Sequence, residues 1–140
     1  MTYDLKTKIS DVDPAEFIAS IEAKRRGEAE IIHEMLSSVS GCPAKMWGTA
    51  LIGFGSYDYQ YASGHKGTYF RIGFSPRKPA LVIYLISGFD ALADELAQIG
   101  PHKHEKSCLY LKSIDSQKLP ALKILVAKSL KLMDAKYPRA

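Results

Sequence analysis

Thr68-Tyr69-Phe70-Arg71-Ile72-Gly73-Phe74, then Ser75-Pro76-Arg77-Lys78-Pro79, then Ala80-Leu81-Val82-Ile83-Tyr84-Leu85-Ile86 reads as strand, turn and strand. In the first run Phe70, Ile72 and Phe74 form an apolar side, and Tyr69, Arg71 and Gly73 form a polar one. That two-residue period is the mark of a strand with one face buried. The Pro-rich turn is too short for a crossover, so the two strands are expected to pair antiparallel. Two more strand candidates lie upstream, at 49–54 and 57–62, joined by Gly55-Ser56 and by Ser63-Gly64-His65-Lys66-Gly67. With 68–74 and 80–86 they make a four-strand meander.

Beyond the strands the period becomes helical. Asp13-Pro14-Ala15-Glu16 combines a capping aspartate, a proline suited to the first helical position and a glutamate three residues after the cap. Phe17, Ile18 and Ile21 follow as an apolar stripe, which Lys24-Arg25-Arg26-Gly27 interrupts. A second helix follows with Ile31, Ile32, Met35, Leu36 and Val39 facing inward, and Gly41-Cys42-Pro43 stops it. Downstream, Asp90 is expected to cap a short helix through Leu92, Leu96 and Ile99, ended by Gly100-Pro101. A fifth strand at 107–112 precedes a last helix over about 116–133, with Pro120 in its first turn. The expected fold is α+β in two layers: a mainly antiparallel five-stranded sheet, four strands as a meander and one after a helix, with helices packed on one face. One domain spans 1–140, with 1–12 as an N-terminal arm and 134–140 as a C-terminal tail.

A chain of 140 residues with 46% hydrophobic content can bury a real core. The opening Met-Thr-Tyr-Asp-Leu-Lys-Thr-Lys has no apolar region of a secretory signal, and no apolar run reaches membrane-spanning length. A cytoplasmic protein is expected. Cys42 and Cys108 share no C-x-x-C spacing and read as free thiols. The net charge of +4 permits an anionic partner without requiring one.

Six of the eight tyrosines lie between 57 and 110, and Tyr57-x-Tyr59-x-Tyr61 places three rings on one side of a strand. Tyrosine joins a large apolar ring to a polar tip, which suits a surface that meets something. Arg71 adds a fixed charge to that face. Other motifs weaken on inspection. Gly100 to Ser107 nearly spells a P-loop, but Glu105 replaces the second glycine and the stretch runs from helix to strand, the reverse of the required context. His102, Lys103, His104 and Lys106, with Arg77 and Lys78 from the earlier turn, would form a cationic rim if the two loops met at one sheet end. Glu30-x-x-His33-Glu34 occurs once, whereas a di-iron bundle needs two such motifs. Cys108 beside His102 or His104 is the one nucleophile-base pairing in reach, and a buried strand thiol is its ordinary reading. No cofactor motif is present.

Met46-Trp47-Gly48, Gly53-Phe54-Gly55-Ser56-Tyr57, Tyr61-Ala62-Ser63-Gly64, Gly73-Phe74-Ser75-Pro76-Arg77-Lys78, Tyr84, Gly88-Phe89 and Lys106-Ser107-Cys108-Leu109-Tyr110 together resemble a family. The string is similar to the YdhG-like bacterial proteins, a domain of unknown function, over roughly residues 14 to 130. Glu105 departs from it, since many relatives have glycine there. The resemblance implies an α+β fold compared with frataxin and no established general activity. Some members are described as iron-binding chaperones. The best-matching positions here are Trp47, Tyr57, Tyr61, Arg77, Lys78, Lys106 and Ser107, which are aromatic and cationic rather than acidic.

The expectation is a non-enzymatic cytoplasmic binding module whose aromatic and cationic surface takes a small anionic ligand or a protein segment. Tyr57, Tyr61 and Trp47 would wall it, Arg71, Arg77, Lys78 and Lys106 would charge it, and Ser107 would add a hydrogen bond. One alternative is a frataxin-like iron chaperone led by Glu16, Glu22, Glu30 and Glu34. Another is single-stranded nucleic-acid binding through stacked tyrosines, the least favoured partner class. An open aromatic face would also serve a homodimer.

Overall fold

The computed structural model describes residues 9–60, 64, 66–114 and 116–139. Its elements run β1 (Ile9–Ser10), α1 (Pro14–Ser20), α2 (Ala23–Ser40), β2 (Ala44–Trp47), β3 (Leu51–Phe54), β4 (Tyr57–Gln60), β5 (Lys66–Tyr69), β6 (Ile72–Pro76), β7 (Leu81–Leu85), α3 (Ala93–Leu96), β8 (Lys103–Glu105), β9 (Cys108–Leu111) and α4 (Leu119–Lys136). Local signals set the helix ends. The Asp13 carboxylate accepts from Ala15 N at 2.9 Å to cap α1, and Gly41 ends α2 with a left-handed φ of 67° that glycine adopts without strain.

The fold is α+β with a mostly antiparallel sheet. Among the described residues seven strands pair in the order β1-β2-β3-β6-β7-β9-β8, and β4 and β5 form a separate two-stranded hairpin. One sheet face carries Ile52, Phe54, Ile72, Phe74, Leu81, Ile83, Leu85, Leu109 and Leu111. Against it pack Ile32 and Leu36 of α2 and Leu122, Leu125, Val126 and Leu130 of α4. Each such side chain stabilises by roughly 1.5–3 kcal/mol over its exposed state, so this layer holds the molecule together.

The expected five-stranded sheet, a four-strand meander plus one strand after a helix, is corrected in several places. β6 pairs with β3 rather than continuing from the hairpin, so the expected pairing of 57–62 with 68–74 holds only at Tyr57–Tyr69 and Asp58–Thr68, inside the separate β4-β5 hairpin. The run read as one strand breaks at Phe70-Arg71, and the alternation does not survive the break. Ile72 and Phe74 face the helices as expected. Phe70 instead lies on the opposite face, against Gly53 and Gly73, which are cross-strand partners. A Cβ at Gly53 would sit 2.6 Å from Phe70 Cβ, and one at Gly73 would sit 2.8 Å from Phe70 Cε1. The two glycines are thus a floor that only a missing side chain can supply. Arg71, expected on the polar face, is 4% exposed and pairs with Asp134 of α4 at 3.0 Å.

Three short strands fall outside the expected set. β1 lies within the stretch read as an arm, β2 follows Pro43, and β8 occupies the loop after α3. The last helix continues to Lys136, into the expected tail. Ile31, expected inward, is 42% exposed, because Ala29, Ile32 and Leu36 already fill the buried side of α2. Leu92 rather than Asp90 occupies the cap position of α3.

Candidate functional site

The sheet face away from the helices divides in two. Its β2-β3-β6 half is covered by an aromatic stack. Trp47, 3% exposed, meets Tyr69 at 5.8 Å and Phe70 at 5.7 Å edge to face, and Tyr69 lies 4.0 Å from Phe70. The buried Trp47 Nε1 has no hydrogen-bond partner among the described residues, so shape rather than polarity holds this ring. Tyr57 and Tyr59 share one side of β4, as the spacing predicts, with Tyr57 packed 4.6 Å from Tyr137. Tyr61 lies outside the described residues.

The β7-β9-β8 half is open and carries a polar chain. Arg77 Nη2 donates to the Tyr84 hydroxyl at 3.1 Å, Tyr84 stands directly across from Cys108, and Tyr110 reaches Glu105 Oε1 at 3.4 Å. Burial pushes the Tyr84 phenol above its ordinary value, with Arg77 opposing. Burial raises Tyr69 further, helped by Tyr84 and Cys108. Tyr110 is raised chiefly by its hydrogen bond with Cys108. Phenol tips on this half therefore stay neutral and act as hydrogen-bond groups, not anions.

The charged residues expected to meet there start from different places, and Arg77 reaches the Tyr84 end only through its guanidinium. The Arg77 turn lies beside the Leu81–Leu111 end of the β7-β9 pair, whereas Lys106 and Ser107 turn at the Tyr84–Cys108 end. The two ends are roughly 10 Å apart along β7. Lys106 is exposed with φ of 51°, and the Ser107 carbonyl accepts from Leu85 N at 2.8 Å. Lys78 is exposed and gives its carbonyl to Arg25. Arg71 is turned to the helix layer, where Nε donates to the Ser56 carbonyl at 2.8 Å. The other motifs are occupied by packing. His102 stacks on His104 at 5.3 Å, His104 lies 4.6 Å from Phe89, and His33 abuts Phe54 edge-on. Among the described residues no three His, Cys, Asp or Glu side chains come together to hold a metal ion. No helix there is long and apolar enough to cross a membrane.

The loops after β6 and after α3 do meet, and what they enclose is a pocket of ≈ 690 Å³ at the Leu81–Leu111 end of the sheet. Pro79 and Ala80 line it from one loop, and Pro101, His102 and Lys103 from the other. Ile99, Leu111 and Leu122 are buried in its floor, with Leu119 half-buried beside them. Lys103, Lys112 and Lys118, all exposed, stand around it. The first turn of α4 contributes Lys118 and Leu119 and contains no acidic residue. A clamp from α2 fixes the loops that shape this cavity. Arg25 bonds Glu28 at 2.8 Å, the Lys112 carbonyl at 3.2 Å and the Lys78 carbonyl at 3.1 Å, while Glu28 Oε2 accepts from Ile114 N at 2.8 Å. The basic run that reads as a helix interruption is thus, at Arg25, a structural tie.

Lys112, Lys118 and the clamp are absent from the sequence expectation. The pocket draws on separated stretches of chain, and no local spacing signals such a meeting. No family model, curated protein or solved structure matches the chain.

Proposed function

We propose that this chain is a cytoplasmic binding module for a small anionic ligand, seated in the pocket at the sheet end. The observation that carries the reading is an apolar cavity of ≈ 690 Å³ surrounded by Lys103, Lys112 and Lys118. That volume lies within the range of small-molecule sites, about 300–1,000 Å³, and an apolar lining with a few charged groups is their usual make-up. Among the described residues no carboxylate is ion-paired with any of the three lysines. Their positive potential therefore acts on whatever enters the mouth. The YdhG-like kinship belongs to the same proposal, resting on the motif string alone, and adds no activity to it.

The test is titration with anilinonaphthalene sulfonate, followed by fluorescence and by amide shifts. Lys103→Ala/Lys112→Ala/Lys118→Ala should bind the probe roughly tenfold more weakly, since three exposed charge contacts give about 0.2–1 kcal/mol each. Lys131→Ala, about 20 Å along α4 from Lys118, should bind as the parent does. Equal affinity in parent and triple variant would sink the reading.

A further inference from the structure

Within the pocket, polarity is arranged along one axis. The floor is Ile99, Leu111 and Leu122, which are 6% exposed or less. The charges belong to Lys103, Lys112 and Lys118, exposed residues at the mouth. Two polar groups of the lining are already engaged, and Ser113 is exposed with the lysines. His102 Nδ1 lies 2.9 Å from the Gly100 carbonyl, and the Tyr110 hydroxyl is turned to Glu105 and Cys108. A ligand with polar groups along its whole length, such as a nucleotide or sugar phosphate, would bury some of them against leucine and isoleucine without partners. A ligand with one charged end and a hydrocarbon body meets no such cost. Lysine suits its head, because an ammonium on a flexible stem is a point charge that needs no planar, two-pronged anion.

Resting on the binding reading above, we infer that the ligand is a single-headed amphiphile, a hydrocarbon chain ending in a carboxylate, bound tail inward with its head among Lys103, Lys112 and Lys118. The site is a concavity lined by Pro79, Pro101 and the start of α4, so the occupant is a free acid whose tail leaves water for the cavity. An anionic lipid still anchored in a bilayer would have to leave it.

The experiment is calorimetric titration of the full chain with hexanoate, octanoate and decanoate, and with decanol as the uncharged counterpart, each below its micelle concentration. Each two-carbon step should tighten binding roughly fifteenfold while the tail is being buried, about fourfold per methylene. Decanoate should bind at least fivefold tighter than decanol, and that difference should vanish in the Lys103→Ala/Lys112→Ala/Lys118→Ala variant. Ala80→Phe places a ring in the cavity and should weaken decanoate at least tenfold with its urea midpoint near the parent's. Should Ala80→Phe fail to fold, the lysine variant and the chain series still decide. Affinity that does not change with chain length overturns the inference. So does binding only to phosphatidylglycerol vesicles and not to free alkanoates. If inorganic phosphate or adenosine triphosphate binds in a lysine-dependent manner while decanoate does not, the amphiphile is wrong and the anion-binding module stands. If the acid and alcohol keep their difference in the triple variant, the lysines are not the head's partners and both readings fall.

Discussion

A methyl group added at Gly73 would come within 2.7 Å of the Ile52 carbonyl oxygen and 2.8 Å of Phe70 Cε1. Neither neighbour can retreat easily, because one is strand backbone and the other a fully buried ring. Gly73→Ala should therefore lower stability by about 2–3 kcal/mol through overpacking, read from urea unfolding. Loss under about 0.5 kcal/mol would mean the Phe70 contact is slack. Tyr69 offers a second test at this scale. Burial, with Tyr84 and Cys108 nearby, holds its phenol above the ordinary value of 10.0. A proton bound more tightly in the folded than in the unfolded chain contributes stability that is fully present below pH 10 and lost as pH rises past it. The urea midpoint should fall above pH 10, and Tyr69→Phe, which keeps the ring, should make that fall shallower. An unchanged slope would assign the loss to other groups.

At the scale of elements, α2 carries an avoidable weakness. Gly27 lies inside the helix, exposed, and a side-chain carbon added to it would meet nothing within 4 Å. Gly27→Ala should stabilise by about 0.5–1 kcal/mol by restricting the unfolded chain and improving helical preference. A change of the opposite sign in thermal unfolding would show an unseen contact there. Helices like this one were legible because their signals are local: the Asp13 cap and the Gly41 stop sit where the residues say. β7 and β9 were legible for the same reason, as apolar runs between turn residues. The hairpin's departure from the main sheet was not. It depends on Gly53 and Gly73 leaving room for Phe70, and those residues are 20 positions apart and meet only through β3-β6 pairing. β2 was hidden by its brevity, four residues following Cys42-Pro43.

For the whole molecule, the same distinction separates the two surfaces. The tyrosine face was legible in outline from the Tyr57-x-Tyr59 spacing, whereas the places of Tyr84 and Tyr110 on it depend on the strand register. The lysine-rimmed pocket was not, because it forms where chain segments up to 43 residues apart in sequence, Pro79 to Leu122, come together under the Arg25–Glu28 clamp. The sheet's outermost strands have a consequence of a different kind. Among the described residues it ends on one side with β1 and on the other with the three residues of β8, which are Lys103, His104 and Glu105, all exposed. An unpaired strand is a template on which another chain can build, and β8 offers little length and charge of both signs. The molecule should accordingly resist fibril growth from its β8 edge. Replacing Lys103 and Glu105 together by valine should restore that route, seen as faster rise of thioflavin fluorescence and light scattering on prolonged warming, whereas growth no faster than the parent's would place the protection elsewhere. A strand three residues long would then be serving as a terminator of assembly.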